Sequence, residues 1–262
     1  ITGGTIINNC ILIDNAMNPV RATIPDDSSK DIHRWIKNAI TKVAEYGITN
    51  VHDAWQDKGI FSVIDNLASN MELPIRCYGM LGASDISLIK DTLGNGHHIN
   101  GNYTVRAVKA FIDGALGSRG AALLEPYSDD PHNCGLILIS KEEFEKVAHI
   151  CKKFKIQLCT HSIGDKGNQK VIDTYAKYAY DDYRWRIEHA QMMKYDDMLR
   201  RKTYHILPSM QPSHCTSDMR WMKERIGGHR THRISRWKTF VDLGLKPDFN
   251  TEEAIDRASV VI

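Results

Sequence analysis

The stretch IQLCTHSIGDKGNQKVIDTYA, residues 156–176, holds the pattern from which the fold can be predicted. Its first part is apolar and β-prone, which indicates a short buried strand that ends at His161. Gly164 marks a turn, and Asp165 begins a segment with helical apolar spacing that runs to about Ala179. The stretch therefore predicts a strand, a tight turn and a helix, with an ionisable ring where the strand ends.

This order of a short apolar strand and a capped amphipathic helix recurs about seven times along the chain, which is typical of parallel βαβ units in an α/β protein. No GxGxxG or GxxxxGK[ST] motif follows any of the predicted strands, so a nucleotide-binding open sheet is disfavoured. The pattern favours a (β/α)8 TIM-type barrel that lacks one unit.

The composition excludes several classes of partner. The 262 residues are 42% hydrophobic and 25% charged, with a formal net charge of +2. Such a balance gives no electrostatic reason to expect nucleic acid or an anionic membrane. No apolar run reaches the roughly 18–20 residues of a membrane span. We expect a small-molecule substrate as the partner, and the sequence leaves a homo-oligomer open.

The cysteines bear on localisation. Six cysteines lie apart from one another without a CxxC pair, which indicates reduced thiols and predicts a cytoplasmic protein. The chain begins at Ile1 without a methionine, so secretion stays open as an alternative.

Polar residues gather at the predicted strand ends, where barrel enzymes carry their chemistry. They are His52, Asp53, Lys109, Asp113, His161, Asp165, Glu188, His189, Gln191, Gln211, His214 and Asp248. Each has a structural alternative. A lone histidine at such a place is more often a satisfied polar residue than a ligand, and the aspartates could cap helices. Glu188 could pair with Arg186.

The joint pattern favours a metal site. Two successive strands end in His161 and His189, and an earlier strand carries Lys109 where an apolar residue would pack better. Burying three basic groups together is costly unless an anion or a metal compensates them. Neutral imidazoles suit zinc, and a lysine carbamate would be an anionic oxygen donor that bridges two ions. Water on such a metal would be a nucleophile near neutral pH.

Long motifs resemble one known family. VKAFIDGALGSRGAALLEPYSDDP, THSIGDKGNQKVID, RWRIEHAQMM and PSMQPSHCTSDMRWMKERIGGHRT are similar to segments of the amidohydrolase superfamily, in its N-substituted-formamide-deformylase-like branch. ITGGTII, DNAM and GITNVHDA match the same branch, so the resemblance runs in order from about residue 1 to 241. It implies a (β/α)8 barrel with a small β-sandwich, and hydrolysis of an amide, formamide or related non-peptide C–N bond by metal-activated water.

The resemblance also implies roles for single residues. Lys109, with a carbamate on its side chain, would bridge one or two divalent ions, zinc above all, and His161 and His189 would be ligands. Arg119, Gln211 and His214 fall in motif positions that would face the substrate. We expect three further residues to support the metal-ligating side chains without binding the metal themselves: Asp113, Asp165 and Glu188.

Two departures from the family pattern shape the expected chain. The resemblance implies an HxH ligand pair on the first barrel strand, and this sequence contains no HxH. Near the other end, LGLKPDFN keeps only Asp248 and Phe249 of the family motif, and Asp248 is expected to be the catalytic proton shuttle. We therefore expect an incomplete record of a longer enzyme, without the first strand and most of the β-sandwich.

The expected organisation has three parts: an extended or hairpin segment at 1–25, barrel strands 2–8 at 26–249, and a helical remnant at 250–262. Two functions stay open. The first is a metal-dependent amidohydrolase that acts on C–N bonds other than peptide bonds. The second is a non-catalytic, degenerate barrel that serves as a binding or scaffold protein.

Overall fold

The structure is a computed structural model. It describes residues 4–25, 27–178, 183–245 and 247–249, with the backbone alone at 248 and 249. The chain divides into two compact units, which are described one at a time. Unit 1 comprises Ile1–Ile24, Phe111–His149 and Thr160–Asn250, and unit 2 comprises Pro25–Ala110, Ile150–Cys159 and Thr251–Ile262.

Strands and helices alternate over most of the described chain. The strands are β1 Gly4–Ile7, β2 Ile11–Asp14, β3 Asn50–Gln56, β4 Arg76–Gly82, β5 His98–Asn100, β6 Tyr103–Phe111, β7 Gln157–Ser162, β8 Arg186–His189, β9 Leu207–Met210 and β10 Asp248–Phe249. The α-helices are α1 Asn18–Arg21, α2 Ser29–Glu45, α3 Lys58–Ser69, α4 Ile86–Leu93, α5 Lys141–Phe154, α6 Asp165–Tyr178, α7 Tyr195–Thr203, α8 Pro212–Asp218, α9 Met222–Ile226 and α10 Trp237–Asp242. Short 3-10 helices span Asn15–Met17 and Gly228–Arg233.

Unit 2 contains a mainly parallel sheet in which β7, β6, β4 and β3 are neighbours in that order. β4 pairs in parallel with β3 and with β6, and Gly82 lies opposite Lys109. The short β5 pairs antiparallel with β6 and was not predicted. Its three residues are too few to show the period-two alternation by which a strand is recognised in a sequence.

The helices α3 and α4 of unit 2 begin where the sequence places aspartates. The side chains of Asp57 and Asp85 accept hydrogen bonds from the N–H groups of Ile60 and Leu88, each at 2.9 Å. These caps satisfy donors that have no partner within a helix. The apolar stripes of both helices are buried, with Leu67 and Ile89 fully covered.

The helix α2 is largely exposed. Its start is capped by Ser28. Val43 is its one buried residue, and Trp35 is 47% exposed. Within unit 2 this helix packs on α3, which covers only part of it.

Unit 1 contains an N-terminal hairpin and the remaining strands. β1 and β2 pair antiparallel. β10, β9, β8 and β7 follow one another in the sheet, and β8 and β10 each pair in parallel with β9. An apolar cluster joins Leu123 and Tyr127 of the long segment that follows β6 to residues that include Met192.

The observed elements confirm an α/β fold with predominantly parallel pairing. Closure into a barrel, the missing first strand and the three-part organisation stay predictions, and the expected helical remnant at 250–262 lies outside the described residues. None of the helices in the described ranges is long and apolar enough to cross a membrane.

Candidate functional site

The polar residues at the strand exits of unit 1 meet around two histidines. His161 lies in β7 and His189 ends β8. Their ring centroids are 4.5 Å apart, with the ring planes inclined at 70°. Neighbouring parallel strands place their carboxyl ends at the same edge of the sheet, which explains how residues far apart in sequence come together.

The imidazole of His161 faces two oxygen atoms through Nε2. Nε2 lies 3.3 Å from the carbonyl oxygen of Gly114 and 3.7 Å from Oδ1 of Asp113. The Phe111 ring packs on the imidazole with centroids 5.1 Å apart. Because a carbonyl oxygen can only accept, Nε2 is the donor in the contact with Gly114.

The imidazole of His189 forms a hydrogen bond through Nδ1. Nδ1 lies 2.7 Å from Oε1 of Gln211, and the residue is 5% exposed. Because an amide oxygen can only accept, Nδ1 is the donor in this contact. The backbone φ is 72° at His189 and 46° at Ala190, so two consecutive non-glycine residues occupy the left-handed region.

Asp113 ties the exits of β6 and β7 together. Its fully buried carboxylate accepts hydrogen bonds from the N–H groups of Ala122, Ile163 and Gly164 at 2.8–3.0 Å. Burial raises the pKa of the Asp113 carboxyl to about 7, against the lowering effect of the three N–H donors. A side chain at Gly167 would place its Cβ 2.5 Å from Oδ2 of Asp113, so this close approach requires glycine.

The helix α8 lies beside His189. Gln211 is its N-cap residue, and His214 in the first turn stacks on His189 with centroids 5.9 Å apart at 14°. At the other end, Oδ2 of Asp218 accepts a hydrogen bond from Nε2 of Gln191 at 2.7 Å. Gln211 and His214 were expected to face the substrate. Both lie against His189, and a substrate contact stays a prediction.

Arg119 lies in the segment after β6. Its guanidinium pairs with both carboxylate oxygens of Asp129, at 3.1 and 2.9 Å. Arg225 of α9 also binds Asp129 and donates to the carbonyl of Gly117 at 3.1 Å. The segment is thus fastened by ion pairs, and a substrate contact of Arg119 stays a prediction.

The carboxylates of Asp165 and Glu188 bind a backbone N–H group and two arginines. Oδ1 of Asp165 accepts a hydrogen bond from the N–H of Leu124 at 2.9 Å, and Oδ2 pairs with Arg233 at 3.2 Å. Glu188 pairs with Arg186, two residues earlier on β8. Asp165 therefore anchors the segment after β6 at the start of α6.

Lys109 and Asp248 are the two remaining predicted site residues. Lys109 belongs to unit 2, where it lies in β6 and is 2% exposed. Asp248 lies in β10, where its backbone pairs with Ser209, and its side chain is outside the described part of the chain. Their roles as bridging ligand and proton shuttle stay predictions.

The fit to a metal ion is partial. Over residues 4–25, 27–178, 183–245 and 247–249, no group of three or more His, Cys, Asp or Glu side chains is placed to hold a metal ion. Within the same ranges, His161 and His189 each have one ring nitrogen engaged by oxygen atoms. Two imidazoles alone do not complete the four-coordinate donor set of a zinc site.

Sequence reasoning missed the bond between His189 and Gln211 and the role of Asp218. Gln211 and Asp218 are separated by about two helical turns, which places them on one side of α8. This spacing was the available signal, but it does not identify the strand exit that the helix faces.

Comparison with known proteins identifies a family for the chain. Residues 9–251 match the model of the Amidohydrolase family. The chain is 30% identical to Protein LONG AFTER FAR-RED 3 of Arabidopsis thaliana over 89% of its length and 44% of that protein. It is 26% identical to the putative amidohydrolase YtcJ of Bacillus subtilis (strain 168), over 93% of its length and 48% of that protein.

A solved structure shares the fold. An uncharacterized metal-dependent hydrolase from Pyrococcus horikoshii OT3 matches with a TM-score of 0.82 and 25% identity, over 93% of this chain and 50% of that one. The chain thus spans about half the length of the relatives that it matches. Since the family model covers most of the sequence, the chain belongs to the amidohydrolase family.

Proposed function

We propose that the protein to which this chain belongs is a metal-dependent hydrolase. One observation carries the proposal: His161 and His189 lie 4.5 Å apart, and each has one ring nitrogen engaged by oxygen atoms. Family membership and the likeness to a metal-dependent hydrolase support it. The reaction that we assign is cleavage of an amide, formamide or related non-peptide C–N bond, as in the formamide-deformylase-like branch.

The two imidazoles are the proposed ligands. The rings of His161 and His189 would hold a divalent ion, with zinc the expected metal because borderline ions favour neutral imidazole. A carbamate on Lys109 is the proposed bridge if two ions bind. Such an ion supplies Lewis-acid activation of water and of the scissile carbonyl.

The chain's own residues then serve distinct purposes. Asp113 fixes the backbone at Ile163 and Gly164, which follow His161, so the ring stays in place as charge develops. Asp248 is the proposed proton carrier: it accepts a proton from the attacking water and delivers it to the leaving nitrogen. Water adds across the C–N bond, with hydroxide to carbon and hydrogen to nitrogen, so no oxidant or further reactant is needed.

The substrate is a small molecule in this proposal, and Arg119 and His214 are the proposed substrate contacts. The test is hydrolysis of a panel of N-formyl amines, linear amides and cyclic amides by the full-length protein. Activity should vanish on dialysis against a chelator and return with Zn²⁺. A metal-replete protein that hydrolyses none of the panel would favour the non-catalytic barrel instead.

A further inference from the structure

Unit 1 contains a cavity of about 190 Å³ between the first turns of α5, the helix α6 and the segment that follows β6. Four apolar side chains line it: Ile112, Ile137, Ile139 and Phe144. Ile112 and Phe144 are buried, whereas Ile137 and Ile139 are half-buried. The cavity therefore has an apolar lining that a hydrocarbon group would cover.

Backbone contacts hold this lining in place. The N–H of Leu138 donates to the carbonyl of Ile112 at 2.9 Å, and Asp113 and Ile137 form an antiparallel bridge. The N–H of Ile112 in turn donates to the carbonyl of His161 at 3.1 Å. A ligand would therefore meet walls that are already formed, which lowers the entropic cost of binding.

Two lysines at the cavity have no anionic partner of their own. Lys141 is exposed and Lys170 is half-buried, and both line the cavity. In the part of the chain that the structure describes, neither ammonium group forms a hydrogen bond or an ion pair. A partly buried cation loses hydration that only a counter-charge restores, so an anion bound here would be stabilised.

The carboxylates that line the cavity have partners already. Glu145 pairs with Lys177 at 2.6 Å, and Asp173 pairs with Arg200 at 2.6 Å. The hydrogen bond from Lys177 lowers the pKa of the Glu145 carboxyl, and the charge of Lys141 adds a smaller effect. Three lysines thus face two paired carboxylates, which leaves a positive excess beside an apolar lining.

From this combination we propose that the cavity binds a small monocarboxylate with an apolar body, such as an aromatic or branched aliphatic acid. Its hydrocarbon body would cover the isoleucines, and its carboxylate would pair with Lys141 and Lys170. A cavity of about 150 Å³ lined by Leu, Ile and Phe holds a benzene ring. The 190 Å³ found here therefore suit a molecule of the size of benzoate.

Other small ligands match the cavity less well. Inorganic phosphate would leave the apolar lining uncovered, and a neutral hydrocarbon would leave both lysines without a counter-charge. The proposed site does not depend on the proposed hydrolysis, because neither the metal nor the histidine pair takes part in it.

Methyl spectra test the location directly, because three isoleucines line the cavity. Full-length protein labelled with ¹³C at the isoleucine δ1 methyl groups is titrated with benzoate. We expect saturable shifts of the Ile112, Ile137 and Ile139 signals, with smaller shifts for the isoleucines that do not line the cavity. Benzoate that leaves these three signals unmoved would overturn the proposal.

Two further probes separate charge from apolar contact. Acetate carries the carboxylate without the ring, and benzyl alcohol carries the ring without the charge. Each should bind about tenfold more weakly than benzoate, or weaker still. Benzyl alcohol that binds as tightly as benzoate would contradict the role of the lysines, and acetate that does so would contradict the role of the apolar lining.

A matched pair of variants tests the lysines. Lys170→Gln should weaken benzoate binding about tenfold and leave benzyl alcohol binding unchanged. Lys146→Gln removes an exposed lysine of α5 that does not line the cavity, so its benzoate affinity should stay within about twofold of the wild type. Wild-type affinity in Lys170→Gln, or an equal loss in both variants, would overturn the assignment while the proposed function stands.

Discussion

The imidazole rings of His161 and His189 lie 4.5 Å apart at 70°, and they are held through opposite nitrogens. His161 turns Nε2 toward Gly114 and Asp113, whereas His189 turns Nδ1 toward Gln211. The orientation of the two rings therefore depends on Gly114, Asp113 and Gln211.

Asp113→Asn should destabilise the protein. An amide cannot accept all three backbone N–H bonds that the carboxylate receives, and an unsatisfied buried donor costs about 1–3 kcal/mol. Urea denaturation should show a loss of this size. Asp173→Asn, which removes a carboxylate from an exposed pair with Arg200, should cost about 1 kcal/mol or less. Equal losses for the two variants would refute the anchoring role of Asp113.

Gly164→Ala should be poorly tolerated. A Cβ at this position would lie 2.0 Å from the carbonyl oxygen of Ala122, so backbone must move. We expect a loss of about 1–3 kcal/mol, as for overpacking, with weaker Zn²⁺ binding because the turn follows His161. Gly117→Ala is the control, since its Cβ meets only the Trp221 ring at 3.5 Å. Unfolding curves of the two variants that coincide would count against the predicted close contact.

Arg230→Met should loosen the segment after β6. The buried guanidinium donates to the carbonyl oxygens of Ile226, Glu125 and Pro126 at 2.6–3.0 Å. Losing these charge-assisted bonds should cost about 1.5–3 kcal/mol and hasten proteolytic cleavage between residues 114 and 135. Arg34→Met, which removes an exposed pair with Asp31, should leave both measurements nearly unchanged. Cleavage at the wild-type rate in Arg230→Met would argue against the fastening role.

The thiols should differ in reactivity. Burial raises the pKa of the Cys77 thiol to about 12, so at pH 8 its reactive thiolate is scarce, whereas Cys10 is exposed. Peptide mapping after brief iodoacetamide treatment at pH 8 should find Cys10 modified first. Raising the pH to 9 should leave native Cys77 slow, because that pH is still below its raised pKa. Rapid modification of Cys77 in folded protein would contradict its burial.

Local signals in the sequence predicted much of the fold. Ser140 and Glu143 form a capping box: Oγ of Ser140 accepts from the N–H of Glu143, and Oε2 of Glu143 accepts from the N–H of Ser140, each at 3.2 Å. Such a cap can be recognised in a sequence because it depends on residues within one turn. The strand that ends at His161 and the helix that begins at Asp165 were likewise predicted. β5 was missed because it is short and gains its stability from pairing with β6.

The site was predictable in part. A polar residue at a strand exit can be identified from the pattern, so His161 and His189 were found. The bond from Gln211 to His189 was not found, because it joins two segments whose distance depends on sheet order and helix placement.

The central claim is that His161 and His189 are metal ligands, and metal stoichiometry tests it most directly. Inductively coupled plasma mass spectrometry of the full-length wild type should find one or two divalent ions per chain, and the same count in His132→Ala, which alters an exposed histidine. His161→Ala and His189→Ala should each lose at least one ion while circular dichroism shows the fold retained. A full complement of metal in both ligand variants, or none in the wild type, would contradict the account.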